Sequence, residues 1–353
     1  MSRKTILSSL ETGRMKSVAS ALTPEERAGI AEYLGTPDTP AVSAAAGACV
    51  GDPPPLSNAP GWNGWGGDIS NARFQSAEIA GISPEQIPRL KLKWAFGFPG
   101  ASTASAQPTI TSGRVYEGSE DGTVYALNAL TGCVIWQFKA QSMIRSAVSV
   151  GARAVFFGDV QANVYSVSKE DGTLFWSTKV DDFASARITG SPALYGDRLY
   201  VPVSSGEEGT AMDPKYECCK FRGSVVALDI RRGKQIWKTH TIPEAPELAG
   251  RNTKGTELWG PSGAAVWSAP TLDPSRKAIY VATGNDYSGP TSKFSDAVLA
   301  MDMDSGQVLW SRQLTPGDTW NLACVNPDTT NCPESAGPDY DFGASPILKS
   351  LRG

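Results

Sequence analysis

Chemistry in this chain has to be carried almost without histidine. His240 is the only one in 353 residues. That excludes a zinc site built on several imidazoles, and it leaves no serine triad unless His240 itself serves. Acid and base work therefore falls to the carboxylates, 36 Asp and Glu against 32 Lys and Arg. The resulting net charge of −4 gives no positive field to gather phosphates or anionic lipid, so nucleic-acid binding is not expected. Six cysteines are the other reactive groups. Cys218 and Cys219 are adjacent, and a trans peptide holds their α-carbons about 3.8 Å apart, below the usual disulfide range. A bridge between them would be strained and reducible, and two free thiols are the alternative. Cys324 and Cys332, eight residues apart, read as a loop-closing disulfide. Cys49 and Cys133 could pair, but the sequence leaves this open. Such cysteine usage suits an oxidising compartment, and the periplasm is the expectation.

These groups need a scaffold, and composition points to short strands. Charged residues make up only 19%, while 36 Gly, 25 Pro and 10 Trp mark a chain rich in turns and large apolar anchors. The convincing helix is near the start. Thr23, Pro24, Glu25 and Glu26 form a capping box with proline at the first helical position, Ile30, Ala31 and Leu34 supply an apolar face, and Gly35 with Pro37 ends it. Residues 36–61, TPDTPAVSAAAGACVGDPPPLSNAPG, are too poor in large apolar residues to fold alone and read as a linker. No run approaches the roughly 18 apolar residues that span a bilayer. The opening MSRKTILSSLETGRM has neither a secretory apolar core nor a cleavage site, so the chain as it stands is expected to be soluble and to carry no address.

A repeat sets the fold class. VYALNALTGCVIW, VYSVSKEDGTLFW, VVALDIRRGKQIW and VLAMDMDSGQVLW each place a glycine four residues before a tryptophan. The glycines are Gly132, Gly172, Gly233 and Gly306, and the tryptophans Trp136, Trp176, Trp237 and Trp310. Glycine supplies the tight corner between two strands, and each tryptophan can cover a joint between neighbouring sheets. Separations of 40, 61 and 73 residues are one blade length plus insertions, which predicts an all-β propeller with functional loops in the longer gaps.

The repeat AxDxxxGxxxW resembles that of the quinoprotein alcohol dehydrogenases, eight-bladed propellers that hold pyrroloquinoline quinone (PQQ). WNGWGGDISNARFQ, SEDGTVYALNALTGCVIW and CCKFRG are most similar to the polyvinyl-alcohol dehydrogenase branch, and the similarity runs from about Trp62 to the end. Ahead of it, LETGRMKSVASALTPEERAGIAEYL resembles the closing part of a class I cytochrome c, with Met15 in the place of the axial sulfur ligand. Without CxxCH no haem is expected here; haem c would belong to a longer parent. DFGASPILKSLRG is similar to the opening of a further blade, so about half of the eight-bladed ring is expected. The resemblance thus implies a fragment with three parts: a cytochrome c remnant at 1–37, a linker at 38–60 and a partial propeller at 61–353. An open arc would expose two apolar sheet faces and favour self-association.

The same resemblance implies roles for particular residues. In SSGEEGTAMDPKYECCKFRG the family places a calcium-ligating glutamate after Ser-Ser-Gly; the match is Glu208, with Glu207 one register away. Asn285 in ATGN falls where an amide oxygen binds calcium, or else serves a turn. Trp267 in GAAVWSAPTLD matches the tryptophan beneath the cofactor. Arg145, Thr189 and Ser205 match positions that hold the quinone's carboxylates and carbonyls, and Arg222 has a rival role as a surface or inter-blade salt bridge. Methanol dehydrogenases press a vicinal disulfide on the quinone from an earlier blade, a role offered here to Cys218 and Cys219. The family's Asp-x-Trp-Asp reads Asp318-Thr319-Trp320-Asn321 in this chain, and an amide cannot take a proton at neutral pH. Asp318 is then the expected base, with capping of the turn before Trp320 as its other role. The implied activity is calcium-assisted hydride transfer from secondary hydroxyls, of an alcohol or a polymeric polyol, to PQQ, with electrons passed to a cytochrome c. The rivals are a propeller scaffold resembling the outer-membrane assembly lipoprotein, which holds no quinone, and an inactive fragment.

Overall fold

The computed structural model describes residues 3–13, 15–16, 18–35, 47–51, 54–57, 61–101 and 103–350. It divides into two compact units, Met1–Gly47 with Gly97–Ser102, and Ala48–Phe96 with Thr103–Gly353. In the first, α1 (Arg3–Glu11) packs against α2 (Pro24–Leu34), burying Leu10, Ala19 and Ala31. The capping box forms as its residue types dictate: Glu26 N donates to Thr23 Oγ1 (3.2 Å) and Thr23 N donates to the Glu26 carboxylate (2.8 Å). Met15, the expected axial position, is 43% exposed. Much of the expected linker, 38–46, 52–53 and 58–60, lies outside the described residues. Its described part is tied down, since Cys49 is disulfide-bonded to Cys133 and Cys49 N donates to Val134 O (3.0 Å).

The second unit holds a short α3 (Ala77–Ala80) and four antiparallel meanders of four strands each. The first is β1 (Thr109–Thr111), β2 (Arg114–Gly118), β3 (Thr123–Asn128) and β4 (Val134–Lys139); the second is β5 (Ser149–Val150), β6 (Ala154–Gly158), β7 (Asn163–Ser168) and β8 (Leu174–Lys179). In the third, a short β9 (Ala186–Arg187) pairs with the end of β11 (Arg198–Ser205), which lies between β10 (Ala193–Tyr195) and β12 (Ser224–Asp229), with β13 (Gln235–His240) outermost. The one-turn α4 (Glu207–Thr210) follows β11. A hairpin, β14 (Glu247–Arg251) with β15 (Glu257–Gly260), and β16 (Ser262–Gly263) lead into the fourth meander, formed by β17 (Thr271–Asp273), β18 (Ala278–Ala282), β20 (Ala297–Asp302) and β21 (Val308–Gln313). Between β18 and β20, β19 (Asp286–Ser288) turns back to pair with β16.

The middle strands read as near-continuous buried runs because both faces are covered, whereas the outer strands β4 and β8 fully bury only their tryptophan, Trp136 and Trp176. Between the first and second sheets lie Tyr116, Ile144, Val155 and Phe157; between the second and third, Phe156, Val164, Leu199 and Val201; between the third and fourth, Tyr200, Val225, Leu272 and Ile279. The Gly-Trp pairs work across sheets rather than within one. The missing side chain of Gly172 leaves room for the ring of Trp136, that of Gly233 for Trp176 and that of Gly306 for Trp237, all three glycines at positive φ. Each indole also bonds the following sheet, Trp136 Nε1 to Lys169 O (3.2 Å), Trp176 Nε1 to Ile230 O (2.9 Å) and Trp237 Nε1 to Met303 O (3.3 Å). Gly132 receives Trp94 in the same way, a member of the series that the repeat pattern did not reveal. Stacked four-stranded meanders joined sheet to sheet are the blades of a propeller. No helix among the described residues is long and apolar enough to cross a membrane.

Candidate active site

Loops at the blade joints bring Arg145, Thr189, Ser205, Glu208, Trp267 and Asn285 onto the wall of one open pocket of about 320 Å³. Arg145 lies between β4 and β5, Thr189 between β9 and β10, and Ser205 at the end of β11, with Glu208 on α4. Trp267 precedes β17 and Asn285 precedes β19. Six positions spread over 141 residues of chain thus meet because each sits on a connection into or out of the strands of successive blades.

Burial separates the two candidate glutamates. Glu207 is fully buried and its carboxylate accepts from Tyr216 OH (2.9 Å), Lys220 N (2.7 Å) and Phe221 N (2.8 Å). It is consumed in folding the segment after α4. Glu208 faces the pocket, where burial, followed by the charges of Asp341 and Asp339, pushes its carboxyl up to about 7. Asn285 is buried; Nδ2 donates to Trp320 O (2.7 Å), its backbone N donates to Asp341 Oδ1 (2.6 Å), and Oδ1 has no partner. Asp341 shares the wall, and burial raises its carboxyl above the ordinary range. Glycine is required opposite it, because a side chain on Gly284 would run into that carboxylate.

On the same wall, a side chain on Gly343 would overlap the Trp267 ring, so the backbone after Asp341 lies directly on the indole. Gly206 is small for a similar reason, since any side chain there would collide with the Arg187 guanidinium, which also lines the pocket. Hydroxyls knit the remainder: Thr189 Oγ1 lies 2.8 Å from Ser204 Oγ, and Ser205 Oγ accepts from Glu207 N (2.8 Å). Two cations, two carboxylates, an amide, hydroxyls and an indole therefore converge on one concave surface.

Four of the residues singled out, Asp318, Cys218, Cys219 and Arg222, do not line this wall. Asp318 is fully buried, and its carboxylate accepts from Asp339 N (3.2 Å) and Tyr340 N (2.9 Å). With both oxygens on backbone amides it shapes the segment that delivers Asp341 and does not face the pocket. Cys218 and Cys219 are disulfide-bonded and buried in the core with Phe221 and Tyr287. Backbone bonds tie that pair to Trp259, Cys219 N to Trp259 O (3.1 Å) and Trp259 N to Cys218 O (2.8 Å). The Arg222 guanidinium donates to the carbonyls of Ile242, Pro243 and Glu244, strapping a turn. Sequence reasoning missed Arg187 and Asp341. The pair of small residues framing Asp341, Gly284 and Gly343, is the signal that could have found it.

A family model described as outer membrane protein assembly factor BamB (PQQ_2) matches residues 81–254. The polyvinylalcohol dehydrogenase of a Pseudomonas species is 40% identical over 366 residues, covering 96% of this chain and 56% of that protein. That of Sphingopyxis sp. strain 113P3 is 38% identical, covering 98% of this chain and 57% of the other. Crystallographic quinohemoprotein alcohol dehydrogenase from Comamonas testosteroni superposes with a TM-score of 0.60 at 19% identity, over 75% of this chain and 43% of that one, and so shares the fold. The chain belongs to the PQQ-dependent alcohol dehydrogenase family. It spans a little over half the length of these two relatives.

In a member of this family the wall can be tested against the groups it would hold. No three His, Cys, Asp or Glu side chains group to hold a metal by themselves among the described residues. The available oxygens are the Glu208 and Asp341 carboxylates and the orphaned Asn285 Oδ1. That is an all-oxygen set suited to a hard cation such as calcium, which takes about six to eight oxygens and would complete its shell from the quinone and water. Arg145 and Arg187 suit a polycarboxylate, and the indole of Trp267 offers a flat face to a flat ring system. The residues present fit PQQ and calcium.

Proposed function

We propose that this chain carries the cofactor-holding part of a quinoprotein alcohol dehydrogenase that oxidises secondary hydroxyls. The observation that carries the reading is the buried, unpartnered Oδ1 of Asn285 beside Glu208 and Asp341 on the wall that Trp267 also lines. A buried oxygen without a partner costs about 1–3 kcal/mol, which a bound cation would offset. In this reading Glu208 and Asn285 hold calcium, Arg145 and Arg187 neutralise the quinone's carboxylates, Thr189 and Ser205 offer hydroxyls to its remaining oxygens, and Trp267 supports its plane. When bound, the quinone supplies the carbonyl that accepts hydride, with the cation polarising it.

Asp341 takes the part of general base that the sequence assigned to Asp318. It lines the pocket, its Oδ1 is oriented by Asn285 N, and burial raises its carboxyl above the ordinary carboxylate range, the direction a general base needs. Leu322 and Trp267 give the wall an apolar portion against which a substrate's carbon skeleton can lie. The names of the 40% and 38% identical relatives support a polymeric polyol as substrate, and three disulfides support an oxidising compartment, the periplasm, with a cytochrome c as electron acceptor. The test is alcohol-dependent dye reduction by protein loaded with PQQ and calcium. Asp341→Asn is expected to lower turnover at least about a hundredfold with quinone still bound. Undiminished turnover in that variant would remove Asp341 from the role.

A further inference from the structure

The three oxygen-bearing residues of the pocket sit on separate segments, α4, the stretch before β19 and the irregular chain after β21, and one loop touches all three. Residues 318–341 begin by pairing with β19, where Trp320 N donates to Asp286 O (2.8 Å) and Asn321 Nδ2 donates to Tyr287 O (3.0 Å). A short 3₁₀ turn, Leu322–Val325, then carries Leu322 to the pocket wall. Cys324 is disulfide-bonded to Cys332 and closes the loop on itself. Immediately before Cys332, the buried Asn331 reaches into the segment that follows α4: its Nδ2 donates to the carbonyls of Ala211 (3.1 Å), Asp213 (2.9 Å) and Tyr216 (3.3 Å). Its Oδ1 accepts from Asn252 Nδ2 (2.8 Å) at the tip of the β14–β15 hairpin, and its carbonyl accepts from Asn321 Nδ2 (3.0 Å). The chain returns through the Asp318 carboxylate to Asp341, which accepts from Asn285 N.

One side-chain amide therefore bonds the segment that directly follows the turn bearing Glu208, and the disulfide next to it joins that amide to the stretch that pairs with Asp286, the neighbour of Asn285, and to the stretch that delivers Asp341. We propose that the Cys324–Cys332 disulfide and Asn331 form a positioning clamp that sets the spacing of Glu208, Asn285 and Asp341 and thereby tunes the pocket's affinity for calcium. The inference rests on the reading that Glu208 and Asn285 hold a cation beside Asp341. Its physical basis is that groups which fix metal ligands from outside change affinity without touching the metal, commonly by about 10–100-fold. The disulfide limits how far residues 324–332 can splay, so Asn331 keeps its three carbonyl partners, and α4 keeps its distance from Asn285.

The test is calcium titration by calorimetry in the presence of PQQ, with a melting curve recorded for every variant. The double replacement Cys324→Ser/Cys332→Ser, and Asn331→Asp, which keeps the size but loses the two amide hydrogens, are each expected to weaken calcium binding about tenfold. The control is Cys49→Ser/Cys133→Ser, which removes a disulfide outside the pocket wall; it is expected to lower the melting temperature and leave calcium affinity unchanged. Should the first double variant fail to fold, Asn331→Asp decides. Wild-type affinity in the clamp variants, or a loss matched by the control, overturns the clamp and leaves the cation site standing. Absence of calcium binding by the unaltered chain overturns both.

Discussion

Glu207 and Glu208 are neighbours on a single turn, yet the fold uses them oppositely. Glu207 answers three donors inside the protein, and Glu207→Ala would leave two backbone amides and a tyrosine hydroxyl unpaired in the core. A loss of several kcal/mol follows at about 1–3 kcal/mol per orphaned group, read as a lowered melting temperature in calorimetry. Glu208 has the reverse profile. Its carboxyl stands at about 7 against an ordinary 4.5, so the fold prefers it protonated. The stability this contributes is complete below about 4.5 and is lost as pH rises through about 7. In cation-free protein the melting temperature should therefore fall across that window, and Glu208→Gln should flatten part of the fall. Because the ionised form is the ligand, calcium affinity should rise with pH over the same range, with proton release on binding. An unaltered pH dependence in Glu208→Gln would show that this carboxyl does not titrate there. At this scale the sequence could offer Glu208 and Glu207 as adjacent registers, but not choose, since only the positions of Tyr216, Lys220 and Phe221 show which one the core consumes.

Among the elements, the Gly-Trp joints were legible because their spacing is fixed by local geometry: a corner glycine, four residues, then an indole. That the indole docks on the next sheet's glycine was not legible, since nothing in one repeat specifies its neighbour. Trp94 stayed hidden because it lies outside any named strand, with no repeat pattern before it. Removing an indole from a joint, as in Trp176→Ala, is expected to cost about 3–5 kcal/mol, visible in denaturant melts. Gly343→Ala tests a different contact. Its new methyl group would push on the Trp267 ring, so quinone binding should weaken markedly while the melting temperature changes little, a split read by titration beside calorimetry. The loop from Asp318 to Asp341 was the least legible element. The family pattern Asp-x-Trp-Asp drew attention to Asp318, but the carboxylate that reaches the pocket is 23 residues further on, past a disulfide-closed excursion with no periodicity to read.

For the molecule as a whole, composition and repeat gave the all-β propeller, and the structure adds how its stack of four sheets is held. Three interior layers, one between each pair of successive sheets, carry the burial. The outermost joint is different: Trp136, Trp176 and Trp237 are buried, whereas Trp310 is 48% exposed and Leu309 beside it 51%. That apolar strip should drive concentration-dependent self-association, measurable by sedimentation velocity, and Trp310→Glu should reduce it; a concentration-independent monomer would contradict this. The pocket lies within the stacked blades, so binding there and association at the outer sheet are separable.

The central claim is that the blades assemble a site for a flat anionic quinone and a hard cation. Titrating PQQ into the chain with and without calcium, followed by quenching of tryptophan fluorescence, tests it most directly. Saturable, one-to-one quenching that requires calcium and is lost in Glu208→Gln is the predicted result; quenching that is absent, unsaturable or indifferent to calcium would contradict it.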